Sequence, residues 1–360
     1  MQIKVGFEIS YTAPQPTPMV IMLSIHPSRR HDIVGAETIT TDPDVSIRYY
    51  RDSFGNICGR LVAPAGGVTL RGDALVRDSG LPDAVAPDAR QMPIEQLPDD
   101  VLVYLMASRY CETDKLVDLA WSLFGTTQPG WERVMAICNY VHDRITFGYA
   151  HAHHMKSAFD AHEQRAGVCR DFAHLALTLC RCMGIPARYC TGYLGDIGVP
   201  PDPAPMDFSG WFEAYLSGQW YTFDARHVVP RIGRIVMATG RDAADVALST
   251  SFGRMNLAKF FVVSDEVKTR SLSVIASEAK QSSSNQELDC FVAYAPRNDA
   301  VIDTHDLRSS LRLRDPDARL CASDGPASVG ERRISWASQL PWPALSREAL
   351  SGIGAVGRCR

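Results

Sequence analysis

Ala166-Gly167-Val168-Cys169-Arg170-Asp171-Phe172-Ala173-His174-Leu175 opens a helix with two unlike faces. Phe172, Leu175, Ala176, Leu179, Cys180 and Met183 recur at helical spacing and make a broad apolar stripe. Arg170, His174, Thr178 and Arg181 make a polar stripe opposite, and a helix is predicted over about 168–183. Cys169 falls in the first turn, at the edge of the apolar face. A thiol there faces the interior at the positive end of the helix dipole, beside N–H groups that have no partner within the helix. Those features lower a thiol pKa and can hold an oxyanion. A buried cysteine is also an ordinary packing residue, so the helix alone leaves both readings open. His174, five residues on, is turned about 140° from the thiol and points elsewhere.

Two strands follow. Ser209-Gly-Trp211-Phe-Glu213-Ala-Tyr215-Leu and Gln219-Trp220-Tyr-Thr-Phe-Asp224 flank Ser217-Gly218, a two-residue hairpin signal. With those two residues as the loop, Leu216 faces Gln219 and Trp211 falls opposite Asp224. Ser209 is then diagonal to Asp224 on the same face, with Cα atoms about 7–8 Å apart. A base standing at 209 would be oriented by that carboxylate. Upstream, Trp131, Val134, Met135, Cys138, Val141 and Ile145 predict an amphipathic helix.

These segments together carry a resemblance. Gly167-Val-Cys-Arg-Asp-Phe-Ala-His-Leu, Gly184-Ile-Pro-Ala-Arg-Tyr189, Thr191-Gly-Tyr193, Trp211-Phe-Glu213 and Trp220-Tyr-Thr-Phe-Asp224 resemble the bacterial transglutaminase-like superfamily, over about 130–230. The resemblance implies a papain-like core with a Cys-His-Asp triad. Carried over by position, Cys169 matches the nucleophile and Asp224 the residue that orients the histidine. The family's histidine stands two residues before the tryptophan of the first hairpin strand, and here that position is Ser209. Serine is no general base near neutral pH. His227 is the nearest substitute to Asp224. In a continuing strand it would face the wrong way, so it needs a bend at Ala225-Arg226, and Pro230 soon after favours one. His151, His153 and His154 form a second candidate group in a loop upstream of Cys169. Trp211 is a candidate wall of a substrate groove with Ser209, although large aromatics in hairpins are more often core.

Around this centre the chain divides by composition. Ile3, Val5, Phe7 and Ile9 alternate with Lys4, Gly6 and Glu8, the period of a half-buried strand. Val45, Ile47 and Tyr49, then Ile57, Gly59 and Leu61, then Val68 and Leu70 continue in the same way. Residues 1–80 therefore read as an antiparallel β domain. Residues 81–128, broken by Pro82, Pro87, Pro93 and Pro98, read as a connection with a helix starting near Asp99-Asp100. Residues 129–267 read as the core, with a nucleophile helix on an antiparallel sheet, and the fold class is α+β. From Thr269 onward 92 residues hold fourteen Ser and eleven Arg against a single lysine, Lys280. Ser273-Val-Ile-Ala-Ser-Glu-Ala-Lys280-Gln-Ser and Asp289-Cys-Phe-Val-Ala293 resemble peptides translated from a bacterial palindromic repeat element. Residues 268–360 are thus expected to be a disordered, repeat-derived or frameshifted tail.

Of 360 residues 46% are hydrophobic and 22% charged, and the net charge is −4, which provides no basic field for nucleic acid or anionic lipid. The apolar run Met19 to Ile25 is far short of a membrane span. The start lacks a secretory layout, and the ten cysteines form no disulfide framework, so a soluble cytoplasmic protein is expected. The expected chemistry is attack of a Cys169 thiolate on an amide carbonyl, giving a thioester released to water or an amine, without metal or cofactor. The expected partners are a peptide or protein substrate and an amine acceptor. A catalytically impaired scaffold or peptide-binding module is the alternative, on the strength of Ser209. A damaged gene product is a third.

Overall fold

Alternation at the start of the chain builds strand β1 (Gln2–Thr12), with Ile3, Val5, Phe7 and Ile9 all buried. A computed structural model of the chain describes residues 1–268, so the expectations for 269–360 lie outside the described residues. After β1 come β2 (Thr17–Ile21), β3 (Thr38–Asp42), β4 (Arg48–Arg51), β5 (Ile57–Ala63) and β6 (Val68–Arg77). Helices α1 (Thr113–Phe124) and α2 (Trp131–Arg144) follow. A short parallel pair, β7 (Thr146–Phe147) and β8 (Ala166–Gly167), brackets α3 (Ala158–Gln164) and leads directly into α4 (Cys169–Cys182). The remainder is β9 (Ala187–Tyr193), β10 (Ser209–Leu216), β11 (Gln219–Phe223), β12 (Ile235–Gly240), β13 (Ser249–Ser251) and β14 (Asn256–Glu266). The fold is α+β.

Two antiparallel sheets, ordered β14-β1-β6-β3 and β13-β2-β5-β4, share one apolar core. Each is completed by a strand from the far end of the described chain. β14 runs along β1 from Ile3↔Glu266 to Thr12↔Asn256, and β13 adds to β2. Period-two alternation marks a strand but carries no information about its partner. The apolar positions Val45 and Ile47 lie just before β4, whose Tyr49 and Tyr50 are exposed. Asp99–Leu105 forms a 3-10 helix, and the first α-helix waits until Thr113. Only Val101 and Tyr104 are buried in that turn, three residues apart, which suits the tighter winding.

The third sheet, β11-β10-β9-β12, is antiparallel and carries α4. Phe172, Leu175, Ala176 and Leu179 pack against Tyr189, Phe212 and Ala214, as the apolar stripe predicts. The polar stripe is buried as well. Arg181 donates to Ala187 O (2.8 Å), and Thr178 Oγ1 donates to His174 O (2.6 Å). His174 stacks on Tyr110 at 5.1 Å. The first turn of α4 departs from the helical core: Val168 and Cys169 join Tyr193 and Phe208 in the core of the two N-terminal sheets. Cys169 thus sits at the seam between two cores.

Candidate active site

Cys169 is held at that seam by tight local packing. Val168 N donates to Asp171 Oδ2 (2.9 Å), fixing the start of α4, and a side chain at Gly167 would run into that same carboxylate. Across the seam, Gly210 of β10 is equally constrained, because a Cβ there would lie 2.3 Å from Tyr189 Oη. Its bare backbone comes close enough for Gly210 N–H to donate to the Cys169 sulfur. Cys169 is 6% exposed. Burial pushes its thiol up to about 11, against the opposing pull of the Arg226 cation. The lowered pKa expected from the helix dipole is therefore corrected: in the resting site loss of hydration outweighs the positive charges nearby.

The hairpin register follows from its loop. Leu216 pairs with Gln219, Tyr215 with Trp220 and Phe212 with Phe223, while Ser217 and Gly218 take positive φ as a tight hairpin turn requires. β11 ends at Phe223, and the chain turns at once. Asp224 O accepts from Val228 N (2.9 Å), and Asp224 Oδ1 accepts from Arg226 N (2.9 Å) and His227 N (3.2 Å). This turn swings His227 back, so that its Nδ1 donates to Asp224 Oδ2 at 2.9 Å. The turn is the bend that the sequence requires at Ala225-Arg226.

Behind the carboxylate lies a support that sequence reasoning missed. Arg234 Nη2 donates to Asp224 Oδ2 (2.8 Å), and Arg234 Nε donates to Asp83 Oδ2 (2.8 Å). Burial raises the Asp224 pKa, but Arg234 and then His227 outweigh it and hold the carboxyl well below the usual carboxylate range. Asp83 also accepts from Arg231 N (2.9 Å). A lone aspartate between Pro82 and Val85 carries no pattern that would announce this role.

Cys169, Ser209, Arg226, His227 and Arg231 all line one cavity of about 400 Å³. Its other walls include Phe208, Met206 and Phe261. Ser209, the position at which the resemblance expects a histidine, lines the same cavity. Trp211 is not on the wall: it is 2% exposed, with the Arg234 guanidinium 5.1 Å from its ring, and serves as packing under the network. His151, His153 and His154 are also off the wall; the last two stack on each other at 5.1 Å, and His153 O accepts from Arg170.

The pattern of the transglutaminase-like superfamily matches residues 118–225 and ends just before His227. The solved structure of a proposed cysteine protease from Cytophaga hutchinsonii is 31% identical, over 77% of this chain and 94% of that one, with a TM-score of 0.65. The periplasmic domain of TgpA from Pseudomonas aeruginosa is 15% identical, over 62% of this chain and 90% of that one, with a TM-score of 0.32. The uncharacterized protein ML0607 of Mycobacterium leprae (strain TN) is 38% identical over 94 residues, 25% of this chain. The chain spans 33% of that relative's length. Among the described residues no helix is long and apolar enough to cross a membrane.

Proposed function

The chain belongs to the transglutaminase-like superfamily, and from that premise we propose that it is a cysteine enzyme of the amide bond, with Cys169 as nucleophile, His227 as general base and acid, and Asp224 as the residue that orients His227. One observation carries the reading: the imidazole aligned by Asp224 opens onto the same cavity as the thiol at the start of α4.

The resting thiol is neutral, so the proton leaves during the reaction. His227 Nε2 takes it as the sulfur attacks the carbonyl carbon of a bound amide. Asp171 N and Phe172 N already donate to Val168 O, at 2.8 and 3.3 Å. The N–H groups of Cys169 and Arg170 are the donors proposed for the tetrahedral oxyanion. The imidazolium returns its proton to the leaving amine, and a thioester remains on Cys169. Water or an amine, deprotonated by His227, then releases the acyl group. Water makes the enzyme a peptidase or amidase and an amine makes it a transamidase; a peptide or protein supplies the acyl group. A cytoplasmic setting accords with the seven described cysteines, all free thiols.

The second reading is an impaired scaffold or peptide-binding module, favoured by Ser209 and by the burial of Cys169. Alkylation of Cys169 separates the two. Labelling at about pH 7 by a small neutral electrophile that slows in His227→Ala supports the enzyme, because the imidazole is then what takes the proton of the neutral thiol. Labelling only above about pH 8.5, unchanged by His227→Ala, supports the scaffold.

A further inference from the structure

The charges on the cavity wall are unequally satisfied. Three carboxylates of the β9–β10 loop are already engaged. Asp196 accepts from Asp202 N (2.7 Å) and faces Arg231 at 3.7 Å; Asp202 accepts from Ala204 N (2.9 Å); Asp207 has a partner of its own. Asp265, on the opposite rim, sits across from Lys4 in the β1–β14 register.

The cations are left less complete. Arg231 is 6% exposed and lines the cavity, and its Nη2 donates to Gly195 O (3.0 Å). Its Nε is buried without a partner. Arg226 lies on the same wall with its guanidinium 3.6 Å from the centre of the Phe147 ring, and among the described residues no carboxylate forms an ion pair with it. A ring face holds a guanidinium in place but does not neutralise it. Arg226 is near enough to the thiol for its charge to act on Cys169. Arg226, on the segment that also carries His227, thus exerts the largest single charge effect on the nucleophile, opposed by Asp207 and Asp171.

We propose that Arg226, backed by Arg231, is a carboxylate-binding subsite that selects substrates bearing an anionic group next to the amide presented to Cys169. The proposal takes its location from the cysteine-enzyme reading. The planar fork of Arg226, pre-set by Phe147, suits a carboxylate bound through two hydrogen bonds. An acidic side chain and a free C-terminal carboxylate supply the same chemistry.

Full-length Cys169→Ala protein tests this without any turnover, so the result stands apart from whether the thiol is a nucleophile. Titration calorimetry would compare acetyl-Ala-Glu-Ala-amide, acetyl-Ala-Ala-Ala with a free C-terminus, and the neutral acetyl-Ala-Gln-Ala-amide. The expected result is about tenfold tighter binding of one carboxylate peptide over the neutral one, and which peptide wins identifies the source of the carboxylate. The preference should vanish in Arg226→Gln and persist in weakened form in Arg226→Lys, which keeps the charge without the planar fork and guards against a folding artefact. Three peptides that bind alike, or not at all, overturn the proposal, as does a preference that survives Arg226→Gln.

Discussion

The two walls of the cavity are built by opposite means. On the thiol side, Cys169 is surrounded by apolar neighbours such as Val168 and Phe208, with one backbone N–H as a polar contact, and burial keeps its proton on. On the base side, Asp224, His227, Arg234 and Asp83 form a chain of short charged hydrogen bonds. The thiol wall stores the nucleophile in its unreactive form, whereas the base wall is oriented before substrate arrives. Changes on the first wall should therefore alter chemistry and leave the fold alone. Changes behind the second should cost stability as well.

Cys169→Ala makes the sharpest cut. It should lower amide turnover by about 10³-fold or more, since removal of a covalent nucleophile leaves only binding and oxyanion stabilisation. A small side chain at this apolar seam should leave the melting temperature close to that of wild type. Turnover on a peptide library alongside a thermal melt checks both halves, and retained turnover breaks the comparison at its root.

On the other wall, Asp224→Ala and His227→Ala should part company. Asp224→Ala strips buried Arg234 of one of its two carboxylates, and a loss of about 3–5 kcal/mol is expected in denaturant unfolding. His227 has a side chain 23% exposed, so its removal should cost under about 1 kcal/mol of stability. Activity should nonetheless fall about 10²–10⁴-fold in His227→Ala. Equal stability losses in the two variants would show that the base wall is not a supported network.

What was legible in the sequence follows from range. The stripe on α4, the alternation of β1 and the hairpin register are local patterns, and the spacing of Leu216 and Gln219 about Ser217-Gly218 fixed the pairing. The bend that returns His227 was readable as a requirement because Asp224 and His227 are three residues apart. The support behind it was not. Arg234 and Asp83 meet across a separation of 151 residues, and the Pro-rich stretch that carries Asp83 reads as a simple connection. β14 pairs with β1 from the other end of the described chain, and nothing in either strand names the other. The inward-facing thiol was legible, but the desolvation that raises its pKa was not, because Phe208 and the N-terminal core reach Cys169 only in the tertiary fold.

The difference between wild type and Cys169→Ala in alkali isolates the thiol wall. A thiol whose pKa is raised to about 11 stabilises the fold while it stays protonated. The unfolded chain releases that proton at about 8.5, so the contribution is complete below that pH and is lost as pH climbs towards the folded value. Between about pH 9 and pH 10.5 wild type should lose up to about 2 kcal/mol more stability than Cys169→Ala. Denaturant midpoints of the two proteins across that window measure the difference. Parallel curves would mean that water reaches the sulfur in the resting site.

The smallest effect expected is a rescue, and it asks whether the two walls tolerate a base from a different strand. Ser209 lines the cavity with Cys169 and His227, and it is the position at which the resemblance expects a histidine. In wild type the imidazole from 227 already uses the carboxylate, so Ser209→His alone should add little and should crowd the cavity. In His227→Ala the same substitution meets an open space and an Asp224 that still has Arg234 behind it. About a tenfold recovery over His227→Ala is expected, well short of wild type because the new ring lacks the turn at 225–227 that aligns the old one. Rates for the single and double variants on one substrate decide it. A double variant that folds but recovers nothing would mean that Asp224 can orient an imidazole only from its own turn, and that the base wall is a self-contained unit.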